Sequence, residues 1–117
     1  MAVEVLGLVF AGSATPHREA MARMVTDALR LTRVDDPTAD ADLFDLPDGS
    51  RFAVADEREP GGGTSRTIGF LVADLDEAVA ALRAAGVEVD DPAQTERQRY
   101  AHFVAPDGEL YELVQER

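Results

Sequence analysis

His102 and Glu112 stand on either side of Pro106-Asp107-Gly108. In such a tripeptide proline presets φ and glycine takes the positive-φ position, so the flanking segments, Arg99 to Val104 and Leu110 to Val114, read as a hairpin. If the tripeptide makes a three-residue turn, Ala105 pairs with Glu109. Counting back then sets His102 opposite Glu112 and Tyr100 opposite Val114, within reach of each other's side chains. A carboxylate beside an imidazole raises the imidazole's basicity. The pair is therefore a candidate general base, or a recognition site for a polar ligand. The competing reading is a polar pair on a partly wet sheet surface. A turn one residue different would put Phe103 opposite Glu112 and separate the two. No catalytic residue is fixed by this pattern; His102 and Glu112 are the candidates.

Strand alternation adds neighbours to the pair. Ile68, Phe70 and Val72 should pack on helices, leaving Thr67, Gly69 and Leu71 on the opposite face. Tyr111 and Leu113 should join the helix side, with Leu110, Glu112 and Val114 opposite. Tyr100 suits stacking on a ligand, or ordinary strand packing. Arg66 and Arg51 are candidate positive charges near a ligand, although most arginines of an acidic protein solvate and form ion pairs. The candidate ligand-binding set is thus Thr67, Tyr100, His102, Glu112, Arg66 and Arg51. His17 reads as surface, and the Met21 and Met24 stripe as core.

The elements that must hold these residues follow from periodicity and punctuation. Val3 to Ala11 is β-branched and apolar and predicts a buried strand. Gly12-Ser13-Ala14-Thr15-Pro16 reads as a break, with Thr15 an N-cap and Pro16 the first helical position. Met21, Met24, Val25, Ala28 and Leu29 mark one face of a helix over about 16–29. Short strands are expected over 31–34, 42–46 and 51–55, the last two joined at Pro47-Asp48-Gly49. The glycine-rich stretch over about 59–65 reads as a linker. Beyond it Thr67 to Ala73 is a strand. Asp74 caps a helix with Glu77 as its capping-box partner, and Gly86 ends that helix in the left-handed region. Val87 to Val89 is a short strand before the hairpin.

The two halves match. Phe44-Asp45-Leu46-Pro47-Asp48-Gly49 aligns with Phe103-Val104-Ala105-Pro106-Asp107-Gly108, and Leu6-Gly7-Leu8 with Ile68-Gly69-Phe70. A repeat of this size is one supersecondary unit that buries its apolar face against its twin. The expectation is a single α+β domain over 1–117, built as two β-α-β-β-β modules, about 1–58 and about 66–117.

Composition removes whole classes of function. Acidic residues outnumber basic ones 23 to 11, giving a net charge of -12, which repels phosphate backbones and anionic lipid. Neither nucleic acid nor a membrane is expected as a partner. With no cysteine, disulfides, thiolate nucleophiles and zinc–cysteine sites are excluded, in keeping with a cytoplasmic protein. There is no lysine, so no phosphate-binding loop of the glycine-lysine type. The N-terminus carries no basic region or cleavage site and reads as a strand rather than a signal peptide.

Several segments resemble the vicinal oxygen chelate superfamily, which includes glyoxalases, bleomycin-resistance proteins and extradiol dioxygenases. Ile68-Gly69-Phe70-Leu71-Val72-Ala73-Asp74-Leu75-Asp76-Glu77-Ala78 resembles the first strand and helix start of its second module. Leu82-Arg83-Ala84-Ala85-Gly86-Val87 resembles the helix exit, and Phe103 to Leu113 the final hairpin. In the first half Arg30 stands where the family usually has glycine. The resemblance implies two modules whose curled mixed sheets form a shared cleft, where the family's enzymes bind a divalent metal that holds two substrate oxygens. The implied ligand positions fall on Glu112, Ala53, Thr67, and Val5 or Gly7. One carboxylate in four does not make a site that needs about three protein ligands. The expectation is therefore a metal-independent small-molecule binding protein without a cofactor, forming a homodimer. The alternatives are a metal-dependent lyase, isomerase or dioxygenase, and a protein-interaction module with a collapsed cleft.

Overall fold

The computed structural model describes residues 3–117; Met1 and Ala2, at the start of the expected domain, lie outside the described residues. The chain is α+β, and its described residues form eight strands of mixed pairing and two helices. In order these are β1 (Val5–Thr15), α1 (Arg18–Asp27), β2 (Thr32–Val34), β3 (Asp42–Asp45) and β4 (Arg51–Asp56). Then follow β5 (Ser65–Val72), α2 (Leu75–Ala84), β6 (Ala93–Gln94), β7 (Gln98–Val104) and β8 (Leu110–Glu116). No helix among the described residues is long and apolar enough to cross a membrane.

Two compact units divide the chain. One is Phe10–Arg66; the other joins the residues up to Val9 to Thr67–Arg117. In the first, β1 runs parallel to β4, which pairs antiparallel with β3, and β3 with β2. In the second, β5 runs parallel to β8, which pairs antiparallel with β7, and β7 with β6. The same connectivity is used twice.

Each unit has a core between its helix and one sheet face. In the first, Ala22 and Val25 of α1 pack on Phe44 and Val54, with Met21, Leu31 and Phe52 beside them. In the second, Leu75, Ala78 and Val79 of α2 pack on Val72, Ala101 and Leu113, flanked by Phe70, Leu82 and Phe103. The ring of Tyr111 stacks with Phe70 and Phe103 at centroid separations of 6.1 and 5.6 Å, on that same side.

α2 begins and ends by local chemistry. The Asp74 side chain accepts a hydrogen bond from the Glu77 N–H at 3.0 Å, satisfying one of the orphan donors of the first turn. Gln115 of β8 supplies a second acceptor, its Oε1 taking the Leu75 N–H at 2.7 Å. At the other end Gly86 has φ +87°, and the Val87 N–H reaches back to the Leu82 carbonyl while the Gly86 N–H reaches Arg83. That is the double bond pattern of a Schellman ending. α1 lacks these devices. His17 occupies its N-cap without a side-chain bond, while Thr15 Oγ1 accepts the His17 N–H at 3.1 Å. After its last turn Arg30 takes φ +59°, the position where a glycine was missed in the sequence.

Several expectations need correction: Met24, expected in the core, is 40% exposed, and neither Thr15 nor Pro16 opens α1, whose N-cap is His17. The start of β1 is not buried: Val5, Leu6 and Leu8 are 50%, 57% and 64% exposed. Gly12-Ser13-Ala14-Thr15, expected as a break, lies within β1 and pairs in parallel with Ala53–Asp56. Long-range pairing overrides the local turn preference there, and Gly12 serves packing: a Cβ on it would meet the Phe10 ring at 3.1 Å. Last, Val87 to Val89 forms only one bridge, Val89 to Phe103, and the strand beside β7 is instead β6.

Candidate functional site

The second hairpin has the three-residue turn. The Ala105 N–H donates to the Glu109 carbonyl at 3.0 Å, so His102 lies opposite Glu112 and Tyr100 opposite Val114. On the neighbouring strand Gly69 pairs with Glu112 and Leu71 with Val114. Alternation then carries Thr67, Gly69, Leu71, Gln98, Tyr100, His102, Glu112 and Val114 to one face, opposite α2.

The floor of this face is buried and its rim half-buried. Glu112 is 4% exposed and Val114 is fully buried, while Thr67, Leu71, Gln98, Tyr100 and His102 are intermediate. Gly69 beside Glu112 has no side chain to cover it. Around the carboxylate the contacts are long. His102 Nε2 lies 3.6 Å from Oε2, and Gln98 Nε2 donates to Oε1 at 3.5 Å. On the imidazole's other side Nδ1 is 4.0 Å from Asp90 Oδ2, and the Asp90 N–H donates to the His102 carbonyl at 2.9 Å. The Tyr100 and His102 rings meet edge to face at 5.5 Å. Burial, and then the negative charge of Glu112, raise the Tyr100 phenol above its ordinary value, so it stays a neutral donor through the physiological range.

Of the expected set, four residues, Thr67, Tyr100, His102 and Glu112, share this face. Arg66 is exposed and alternates onto the side of Ile68 and Phe70. Arg51 belongs to the other unit, where its Nε lies 3.4 Å from Asp45 Oδ1. Two members were missed. Gln98 was within reach of the alternation rule, two residues before Tyr100. Asp90 was not, because a loop delivers it.

The first unit places very different residues on the matching face. Gly12 pairs with Ala53 as Gly69 pairs with Glu112, so Gly12, not Gly7, corresponds to Gly69. The implied fourth ligand position therefore moves from Val5 or Gly7 to Phe10. The misassignment arose because Leu6-Gly7-Leu8 mimics Ile68-Gly69-Phe70 while the paired half of β1 lies five residues later. The four positions are thus Phe10, Ala53, Thr67 and Glu112. Phenylalanine and alanine cannot coordinate a metal, and threonine is a poor ligand for transition metals. Among the described residues no three His, Asp or Glu side chains converge closely enough to hold an ion. The residues present do not fit the metal of the superfamily's enzymes.

A second polar cluster lies in the first unit. Arg18 spans Asp42 (Nε to Oδ2, 3.2 Å) and Asp56 (3.1 Å), and Arg33 reaches Asp42 from the other side. Together with Pro16, Glu19 and Ala22 they line an open hollow of about 530 Å³. The arginine bond to Asp42 holds the Arg18 guanidinium above its ordinary range. Burial pushes Asp42 up, but Arg18 and Arg33 outweigh it and hold the carboxyl below the usual carboxylate value.

No family model matches the sequence, and no curated protein matches it. Solved structures do. Methylmalonyl-CoA epimerase from Mycobacterium tuberculosis is similar at a TM-score of 0.76 and 19% identity, over 100% of this chain and 92% of that one. The Mn(II)-bound glyoxalase from Novosphingobium aromaticivorans gives 0.76 and 19%, over 97% of this chain but 40% of that one. Homoprotocatechuate 2,3-dioxygenase from Brevibacterium fuscum, as its E323L mutant, gives 0.75 and 16%, over 98% and 33%. The chain thus spans nearly the whole epimerase and less than half of the other two. At these identities the likeness is one of fold.

Proposed function

We propose that this chain, which has the fold of the vicinal oxygen chelate superfamily, is a small-molecule binding protein that works without a metal. The ligand would sit on the face of Thr67, Tyr100, His102 and Glu112. One observation carries the reading: at the four positions where the fold's enzymes place metal ligands, only Glu112 has a coordinating charge, and its neighbours are an aromatic ring and an imidazole. Such a face offers hydrogen bonds, one negative charge and stacking area, the ingredients of recognition rather than of Lewis-acid chemistry.

The epimerase likeness in length does not bring its substrate along. A coenzyme A thioester carries several phosphate charges, which a chain of net charge -12 repels. The cysteine-free composition supports a cytoplasmic setting, and the exposed Val5, Leu6 and Leu8 support a homodimer.

The test is a thermal-shift screen of small polar and aromatic molecules with a chelator present, beside elemental analysis of dialysed protein. Binding raises stability by mass action. Hits that persist in chelator, on protein with substoichiometric metal, are the expected result. A divalent ion that survives dialysis at one per chain, or hits that need added metal, would favour the metal-dependent enzyme instead. A screen without hits would favour a protein-interaction module.

A further inference from the structure

We propose that the ligand of this face is an organic cation: an ammonium or amidinium group on an apolar or aromatic body, seated on Glu112. The inference rests on the binding reading above and names the chemical class it takes.

The first reason is the thin compensation of Glu112. A buried carboxylate needs close donors, and charge-assisted hydrogen bonds run to about 2.7–2.9 Å. Glu112 is 4% exposed, yet its two contacts stand at 3.5 and 3.6 Å. No arginine lies within ion-pair distance of it among the described residues, and the sequence has no lysine to send. Arg18, Arg33, Arg51, Arg83 and Arg99 are each committed to an aspartate elsewhere. A ligand N–H group would supply the short, charged bond that the chain itself withholds.

The second reason is what surrounds the carboxylate. Tyr100 offers a half-buried ring, and an aromatic face attracts a desolvated cation. The field of Glu112 reaches that residue, since it contributes to the raised phenol value. Val114 and Leu71 provide apolar floor, and Gly69, the strand partner of Glu112, sets no side chain beside the carboxylate. Third, the net charge of -12 concentrates cations near the whole surface and disfavours anions.

Three probes of one shape test this by isothermal titration and by the NMR signals of Tyr100 and His102: phenethylammonium, phenethyl alcohol and 3-phenylpropionate. The expected order is ammonium, then alcohol, then carboxylate, with the ammonium at least about tenfold ahead of the alcohol. Glu112→Gln keeps the shape and should erase that lead. Glu109→Gln removes the same unit of charge from an exposed turn and should leave the lead intact. If both variants lower it equally, the preference is diffuse attraction and the proposal fails. Tyr100→Leu provides an independent check, expected to weaken the ammonium more than the alcohol. Alcohol or carboxylate binding as tightly as the ammonium, at the same resonances, would overturn the cation and spare the binding reading. Silence of both resonances towards all three probes would overturn both.

Discussion

The two units carry the same strand pairings and opposite chemistry on corresponding faces. Matching Gly12 with Gly69 and Ala53 with Glu112 sets Phe10, Ala39, Ala41, Leu43 and Ala53 of the first unit against Thr67, Gln98, Tyr100, His102 and Glu112 of the second. The first group is an aliphatic cluster with Val34, and the Phe10 ring closes over Gly12. The second is a carboxylate floor with a polar, aromatic rim. A shared backbone therefore fixes where side chains point and leaves open what they do. One unit fills this face as a core, and the other carries polar groups there.

Exchanging residues between the copies should expose that difference. The largest effect is expected from Ala53→Glu, which places a carboxylate among Phe10, Val34 and Leu43. An uncompensated buried charge should cost about 3 kcal/mol or more in urea denaturation. A loss below about 1 kcal/mol would mean that this face has room for a charge, and the contrast with Glu112 would dissolve. Next is Phe10→Ala, which opens the cover over Gly12. Being half-buried, Phe10 should lose about 2 kcal/mol, less than the roughly 3–5 of a fully buried phenylalanine. Glu112→Leu makes the second face resemble the first. Its stability change should stay within about 1 kcal/mol of either sign, because His102 keeps contact with water and a buried charge disappears. Ligand-induced thermal shifts should vanish with it. A stability loss much above 2 kcal/mol would instead make Glu112 a structural member of the sheet.

The smallest effect concerns the helix ends. α2 ends on Gly86 at φ +87°, α1 on Arg30 at φ +59°. The left-handed region costs a side-chain-bearing residue, so Arg30→Gly should stabilise by up to about 1 kcal/mol, read as a rise in Tm, and Gly86→Ala should lower stability by a similar amount. If Arg30→Gly destabilises, contacts of the arginine side chain outweigh its backbone strain.

The same contrast explains what the residues announced in advance. Asp74, Gly86 and Pro106-Asp107-Gly108 act through their immediate neighbours, so α2 and the pairing of His102 with Glu112 were legible. Thr67, Tyr100, His102 and Glu112 followed by alternation from that one turn. The end of β1 was hidden because Gly12-Ser13 has turn chemistry locally and strand partners 41 residues away at Ala53 and Val54. Asp90 was hidden for a similar reason, since its place beside His102 depends on a backbone bond from a loop. Arg66 and Arg51 were chosen by charge alone, and charge carries no direction: one alternates to the other face and one is taken up by Asp45.

The division of β1 has a consequence for assembly. Phe10–Arg66 is one uninterrupted stretch, whereas its companion joins the residues before Phe10 to Thr67–Arg117, with Val3 lying against the cluster of Leu75 and Val79. During synthesis the contiguous stretch can condense early. The discontinuous one must wait for the last strand and then close a long loop, which slows its formation. Replacing Val3 by a polar residue should therefore loosen the distant Thr67–Arg117 fold more than Phe10–Arg66.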